Sequence, residues 1–137
     1  MIVAVASGKG GTGKTSLAVN LAISTENAQL LDCDVEEPNA YLLLNPKITR
    51  QEPVYRLVPS VSEELCDYCG KCAAFCQYNA ILAVPGKILV FPELCHGCGG
   101  CILTCPKKAI SKSKNRIGII KEGSTDDLRI VFGELEV

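Results

Sequence analysis

Eight of the nine cysteines fall into two runs of identical spacing. Cys66, Cys69, Cys72 and Cys76 read C-x2-C-x2-C-x3-C, and Cys95, Cys98, Cys101 and Cys105 repeat the pattern 29 residues later. Gly70 and Gly99, Ala80 and Ala109, and Ile81 and Ile110 keep the same offset. A duplicated unit is stronger evidence of design than either copy alone. The chemistry such spacing suits is a cubane of four irons. Three thiolates in a tight loop wrap three corners, and the fourth arrives from elsewhere in the chain. Gly70, Gly99 and Gly100 suit the turns and close backbone approaches that such loops require. Zinc ribbons also use C-x2-C pairs, but with four ligands per metal rather than two runs of four. Disulfides fit poorly with an odd count and no secretion signal. Cys33 stands outside both runs in an apolar stretch, where a buried structural thiol is expected. His96 lies between two candidate ligands and is expected at a solvent edge or behind them.

From about Val58 to Lys114 the chain resembles bacterial two-[4Fe–4S] ferredoxins. In such proteins the fourth cysteine of each run ligates the other cluster. The resemblance therefore implies one cluster on Cys66, Cys69, Cys72 and Cys105, and a second on Cys95, Cys98, Cys101 and Cys76. It also implies electron transfer. The clusters would replace a side-chain core in a unit too small to build a large one. Pro106 follows the last cysteine as in that family, whereas Gln77 replaces the corresponding proline of the first run.

A second chemistry stands at the start of the chain. Gly8 to Thr15 satisfies G-x4-G-K-[ST]. The preceding Ile2–Ala6, IVAVA, reads as a buried parallel strand, and a helix follows with Leu17, Ala18 and Leu21 on one side. Strand, glycine loop and helix form the context of a phosphate loop. Gly8, Gly10, Gly11, Thr12 and Gly13 would turn backbone N–H groups toward a phosphate. The helix start at Lys14, Thr15 and Ser16 adds partial positive charge. Lys14 is expected on the β- and γ-phosphates, and the Thr15 hydroxyl on Mg²⁺. A merely flexible glycine-rich turn is the plain alternative.

The run G-K-G-G-x-G-K-T resembles the deviant phosphate loop of the MinD/ParA ATPases. That resemblance implies a nucleotide-sandwich homodimer in which Lys9 reaches the partner's phosphates; a lysine that neutralises its own site is the alternative. It also assigns Asp34 to the attacking water and Mg²⁺ shell, with Asp32 beside it, and Asn39 to a dimer-facing loop. The two acids end a strand at Leu30–Asp34, and they could instead cap the following turn.

The elements around these motifs give an α/β reading. It is a partial P-loop domain, a parallel sheet with helices, carrying an inserted ferredoxin-like α+β two-cluster domain. The expected parts are 1–55, 56–115 and a returning hairpin at 116–137, with strands Arg116–Ile120 and Leu128–Val137 around a turn that holds Asp126 and Asp127. Pro53 and Pro59 mark an expected hinge over Arg50 to Pro59. The chain is expected to be the N-terminal portion of a longer protein, because no second acidic strand end follows for Mg²⁺. Ile2–Ala6 and Leu30–Asp34 would then lack parallel neighbours.

A net charge of −1 and 5% aromatic content exclude a nucleic-acid binder built on bulk charge or base stacking. No apolar run approaches the roughly 18 residues of a membrane span. Lys107, Lys108, Lys112 and Lys114 form a solvated face or a docking patch for an acidic redox partner. The expectation is a cytoplasmic Mg·ATP- or Mg·ADP-binding protein with two [4Fe–4S] clusters, coupling nucleotide to electron transfer. An ATP-dependent cluster carrier and a ferredoxin with a vestigial phosphate loop are its rivals. The redox or cluster-accepting partner protein is not specified.

Overall fold

Leu128, Ile130 and Phe132 are buried while Arg129 between them is exposed, the period-two pattern of a strand with one covered face. They belong to β6 (Leu128–Leu135), one of the two inner strands of a four-stranded sheet. The computed structural model describes residues 1–126 and 128–136. Asp127, expected in a turn, and Val137, expected at a strand end, lie outside the described residues. The chain divides into two compact units, Met1–Val54 with Ile117–Val137, and Tyr55–Arg116.

In the first unit β1 (Gln29–Asp32) runs parallel to β6, with Leu30 opposite Ile130 and Asp32 opposite Phe132. The expectation that the Leu30–Asp34 strand has no parallel neighbour is thus corrected: the returning chain supplies one. On its other side β6 pairs antiparallel with β5 (Ile110–Thr125), from Gly118–Leu135 to Thr125–Leu128. Residues 121–125, read from sequence as loop, are therefore strand. β2 (Lys47–Val61) completes the order β1-β6-β5-β2.

Helices α1 (Lys14–Ile23) and α2 (Ala40–Leu44) cover the sheet. Val19, Ala22, Ala40 and Leu44 pack with Leu128, Ile130 and Phe132, and Tyr41 stacks on Phe132 with centroids 4.7 Å apart. Burying side chains such as Ile130 and Phe132 stabilises the unit by about 1.5–3 kcal/mol each. The buried face of α1 is Val19 and Ala22, whereas Leu17 and Leu21 are exposed. The expected face was displaced because a short helix turns toward whichever side the sheet covers, and two small or branched residues fit closest to it.

One further expectation fails. Ile2–Ala6 forms no strand, and Ile2 and Val3 are exposed. A strand exists only where a neighbour takes its backbone hydrogen bonds, and no described strand pairs with this segment. The residues expected as a hinge-like junction, Arg50 to Pro59, are strand in β2, and the division between the two units falls among them at Val54 and Tyr55. Pro53 and Pro59 are tolerated because β2 is an edge strand, where a missing N–H donor leaves one side of the ladder intact.

The second unit carries the repeat in its backbone. α3 (Lys71–Phe75) and α4 (Gly100–Thr104) are 29 residues apart, each entered through a left-handed glycine, Gly70 at φ 73° and Gly99 at φ 74°. The left-handed residues Tyr68 and Gly97, and Asn79 and Lys108, keep the offset. Between the halves lies the hairpin β3 (Ile81–Val84) and β4 (Lys87–Val90), turned at Pro85-Gly86. Ala80 and Ala109 are 1% and 2% exposed, and Cys72 and Cys101 are both 8% exposed. The core here is largely sulfur: Cys72, Cys95 and Cys101 pack with Val58, Ala80, Ile81 and Ile110.

Candidate functional sites

The glycine loop precedes α1, whose first residue follows Gly13 at φ 83°, a conformation a side chain would disfavour. No side chain caps this helix start. The N–H groups of its first turn therefore lack the usual side-chain acceptor, and they and the helix dipole are available to an anion. The loop is shaped from within: the Thr12 hydroxyl donates to Ser7 Oγ at 2.8 Å, and Ser7 Oγ donates to the Lys9 carbonyl at 2.8 Å. A β-carbon on Gly8 or Gly10 would meet nothing within 4 Å, so open space surrounds the loop. Lys14 and Thr15 are half-buried, while Lys9, Gly11, Thr12 and Ser16 are exposed.

Asp32 ends β1 and organises the loop beyond it. Its carboxylate accepts from the backbone N–H of Asp34 at 3.2 Å, of Asn39 at 3.1 Å and of Ala40 at 3.0 Å. Asn39 is the residue that opens α2. This is the turn-capping alternative for Asp32; Asp34 itself is exposed. Among the described residues no hydrogen bond or ion pair joins Lys9 or Lys14 to either acid. Cys33, expected to be buried, is exposed: it lies just past β1, where the chain has left the sheet.

The eight motif cysteines gather into two quartets. Cys76, Cys95, Cys98 and Cys101 line a cavity of about 130 Å³, together with apolar residues such as Val58, Phe75 and Ile81. Cys66, Cys69, Cys72 and Cys105 line a second of about 10 Å³. Each quartet takes three cysteines from one run and its fourth from the other. Among the described residues no three His, Cys, Asp or Glu side chains form a site for a single metal ion. No disulfide forms: all nine cysteines are free thiols. Cys69 and Cys98, equivalent in the repeat, are both exposed.

Burial pushes the Cys72 thiol up from its ordinary value, and charge on Cys66 and Cys105 adds to it. Burial likewise raises Cys101, with Cys95 and Cys98 adding. Four thiolates so close are mutually unfavourable until a cation joins them. N–H donors already point at sulfur: Gly97 N–H lies 3.4 Å from Cys95 Sγ, and Ala109 N–H lies 3.3 Å from Cys105 Sγ. This donor set, soft sulfur spread around a cavity with backbone donors on it, fits a polynuclear iron–sulfur group better than one ion.

Four residues stand beside the quartets: His96 and Lys107, which the sequence already singles out, and Tyr78 and Asp67, which it does not. Tyr78 and His96 stack with centroids 3.9 Å apart and planes 16° from parallel, at the wall of the larger cavity. Asp67 and Lys107 line the smaller one. Hydrogen bonding from Cys69 holds the Asp67 carboxyl below its ordinary value, and the Lys107 charge adds to this. The 29-residue offset was the signal available for all four, since it aligns Tyr78 with Lys107 and Asp67 with His96.

Comparison with known proteins matches residues 3–132 to the family model of the CobQ/CobB/MinD/ParA nucleotide binding domain. An uncharacterised protein of Methanocaldococcus jannaschii is 42% identical over 141 residues, covering all of this chain and 49% of that protein. A second from the same organism is 38% identical over 96 residues, 65% of this chain and 34% of its own length. An Arabidopsis thaliana protein named as an iron-sulfur protein required for NADH dehydrogenase, mitochondrial, is 51% identical over 49 residues, 32% of this chain and 16% of that one. The chain thus spans about half the length, or less, of the curated relatives it matches. No described helix is long and apolar enough to cross a membrane.

Proposed function

Since the chain belongs to the CobQ/CobB/MinD/ParA nucleotide-binding family, we propose that it binds Mg·ATP at its glycine loop and holds two [4Fe–4S] clusters, coupling the nucleotide to electron transfer. The observation that carries the second half is the gathering of eight cysteines into two quartets, each around its own cavity.

At the first site, backbone N–H groups from Gly8 to Gly13 and the start of α1 bind phosphate oxygens. Lys14 neutralises the β- and γ-phosphates, and Thr15 offers its hydroxyl to Mg²⁺. Lys9, exposed on the loop, is the residue to reach a second copy's nucleotide in a homodimer. Asp34 is exposed and so able to orient water, while Asp32 holds the loop that presents it. At the second site, Cys66, Cys69, Cys72 and Cys105 hold one cluster and Cys95, Cys98, Cys101 and Cys76 the other. Bound clusters supply one-electron chemistry. The cysteines, with the N–H groups of Gly97 and Ala109, bind and tune them, and the exposed Cys69 and Cys98 mark the edges nearest solvent.

Delivery of clusters to another protein is the second reading. It is favoured by the partial likeness to a plant protein named for a requirement of NADH dehydrogenase, and by the same exposed edges. One experiment addresses all of this. Protein prepared without oxygen should hold roughly eight irons and eight sulfides per chain. Its reduced spectrum should change on adding Mg·ATP, and its iron should stay bound when metal-free acceptor protein is added. Iron passing to the acceptor favours delivery. A preparation with zinc and no iron overturns both readings.

A further inference from the structure

The repeat places two residues against each quartet, and their chemistry differs between the halves. Tyr78 follows Cys76 by two residues, and His96 follows Cys95 by one; Lys107 follows Cys105 by two, and Asp67 follows Cys66 by one. In each half the two positions lie on the same two loops: the loop whose cysteine crosses over, and the loop that opens the receiving run. At the larger cavity the bridge is a parallel aromatic stack at 3.9 Å. At the smaller cavity the equivalent positions carry an acid and a base, which share the wall and attract through space, with no direct ion pair between them among the described residues.

We propose that these positions are cross-loop latches. The Tyr78–His96 stack holds Cys76 in its quartet by contact that salt does not weaken, and Asp67 and Lys107 hold Cys105 in the other by charge. The inference rests on the reading that the quartets hold clusters. Its physical basis is the different reach of the two forces. Stacked rings attract at contact. Exposed opposite charges are screened over about 10 Å at 0.1 M salt and over about 3 Å at 1 M. Asp67 and Lys107 are both exposed, so their attraction is open to screening. The crossing cysteine is the ligand most in need of a latch, because its own run supplies no second ligand to the same site. The two sites therefore differ in retention. The aromatic-latched site keeps its iron at any ionic strength, and the charge-latched site loses it faster as salt rises.

The test is iron release from anaerobically loaded protein to a ferrous chelator, at about 0.02 M and about 1 M salt. Wild-type protein should release iron in two equal phases, only one of them faster at high salt. Asp67→Asn should bring that phase to its high-salt rate at low salt. Tyr78→Ala should speed the other phase about two- to tenfold at both salt concentrations, the range expected from an aromatic pair, and Tyr78→Phe should restore it. Tyr78→Ala protein that loads only half the iron also supports the latch. Where Tyr78→Ala fails to fold, His96→Ala is read in the same way. Full loading with release unchanged by Tyr78→Ala and His96→Ala overturns the latch and leaves the cluster reading standing. Wild-type protein that holds no iron overturns both.

Discussion

A β-carbon on Gly100 would overlap Cε1 of Phe75. Phe75 closes α3 and Gly100 opens α4, so the two short helices of the repeat meet where one of them has no side chain. Phe75 also lines the larger cavity. Gly100→Ala should displace the ring and destabilise the unit by about 1–3 kcal/mol, the usual cost of overpacking. Adding Phe75→Ala should relieve the clash. A double-mutant cycle in denaturant that shows simple additivity would count against the contact.

Cys76→Ala should remove the cluster of the Cys95 quartet and spare the other, leaving about four irons per chain. Iron and sulfide analysis checks this. Selective loss from the Cys66 quartet would contradict the crossed grouping.

Lys14→Ala should weaken Mg·ATP binding about ten- to a hundredfold, the range for losing one charge-assisted contact. Lys9→Ala should leave binding intact and slow hydrolysis by about a hundredfold, as expected for a group that acts on transition-state charge. Calorimetry and phosphate-release assays separate the two. Equal loss of binding in both variants would refute the division of labour.

Asp32→Ala should destabilise the first unit by about 1–3 kcal/mol, because the N–H groups of Asp34, Asn39 and Ala40 lose their acceptor. Asp34→Ala should barely affect stability. Unfolding midpoints distinguish them, and a larger effect at Asp34 would be the contrary result.

Metal-free protein should lose stability as pH rises above the ordinary thiol value of 9.0. The folded state holds Cys72 and Cys101 above that value, so it keeps its protons while the unfolded chain releases them. The contribution is fully present below 9.0 and falls away above it. Cys72→Ala with Cys101→Ala should flatten the pH profile, and an unchanged profile would contradict the assignment. Cluster loading runs the other way, because ligation needs thiolates and so releases protons.

Local chemistry was legible in the sequence because it is written in residue type and spacing. The phosphate loop needs glycines at set intervals before a lysine and a hydroxyl, and no tertiary information is required to see Gly8 to Thr15 satisfy it. Membership of the nucleotide-binding family follows the same pattern. The duplication was legible as a 29-residue offset, and the backbone obeys it down to left-handed residues at Asn79 and Lys108. The strand that ends in Asp32 and the strand that begins at Leu128 were visible from their apolar residues.

Only the tertiary structure decided who neighbours whom. An apolar run predicts a wish for burial, not a partner. Ile2–Ala6 and β1 look alike in sequence, yet one lies exposed and the other pairs with β6 from the far end of the chain. Prolines at 53 and 59 suggest a break, but an edge strand spares them the missing hydrogen bonds. The meeting of Tyr78 with His96 joins loops about 20 residues apart. Contacts at that separation depend on chain closure and packing, which no local pattern encodes.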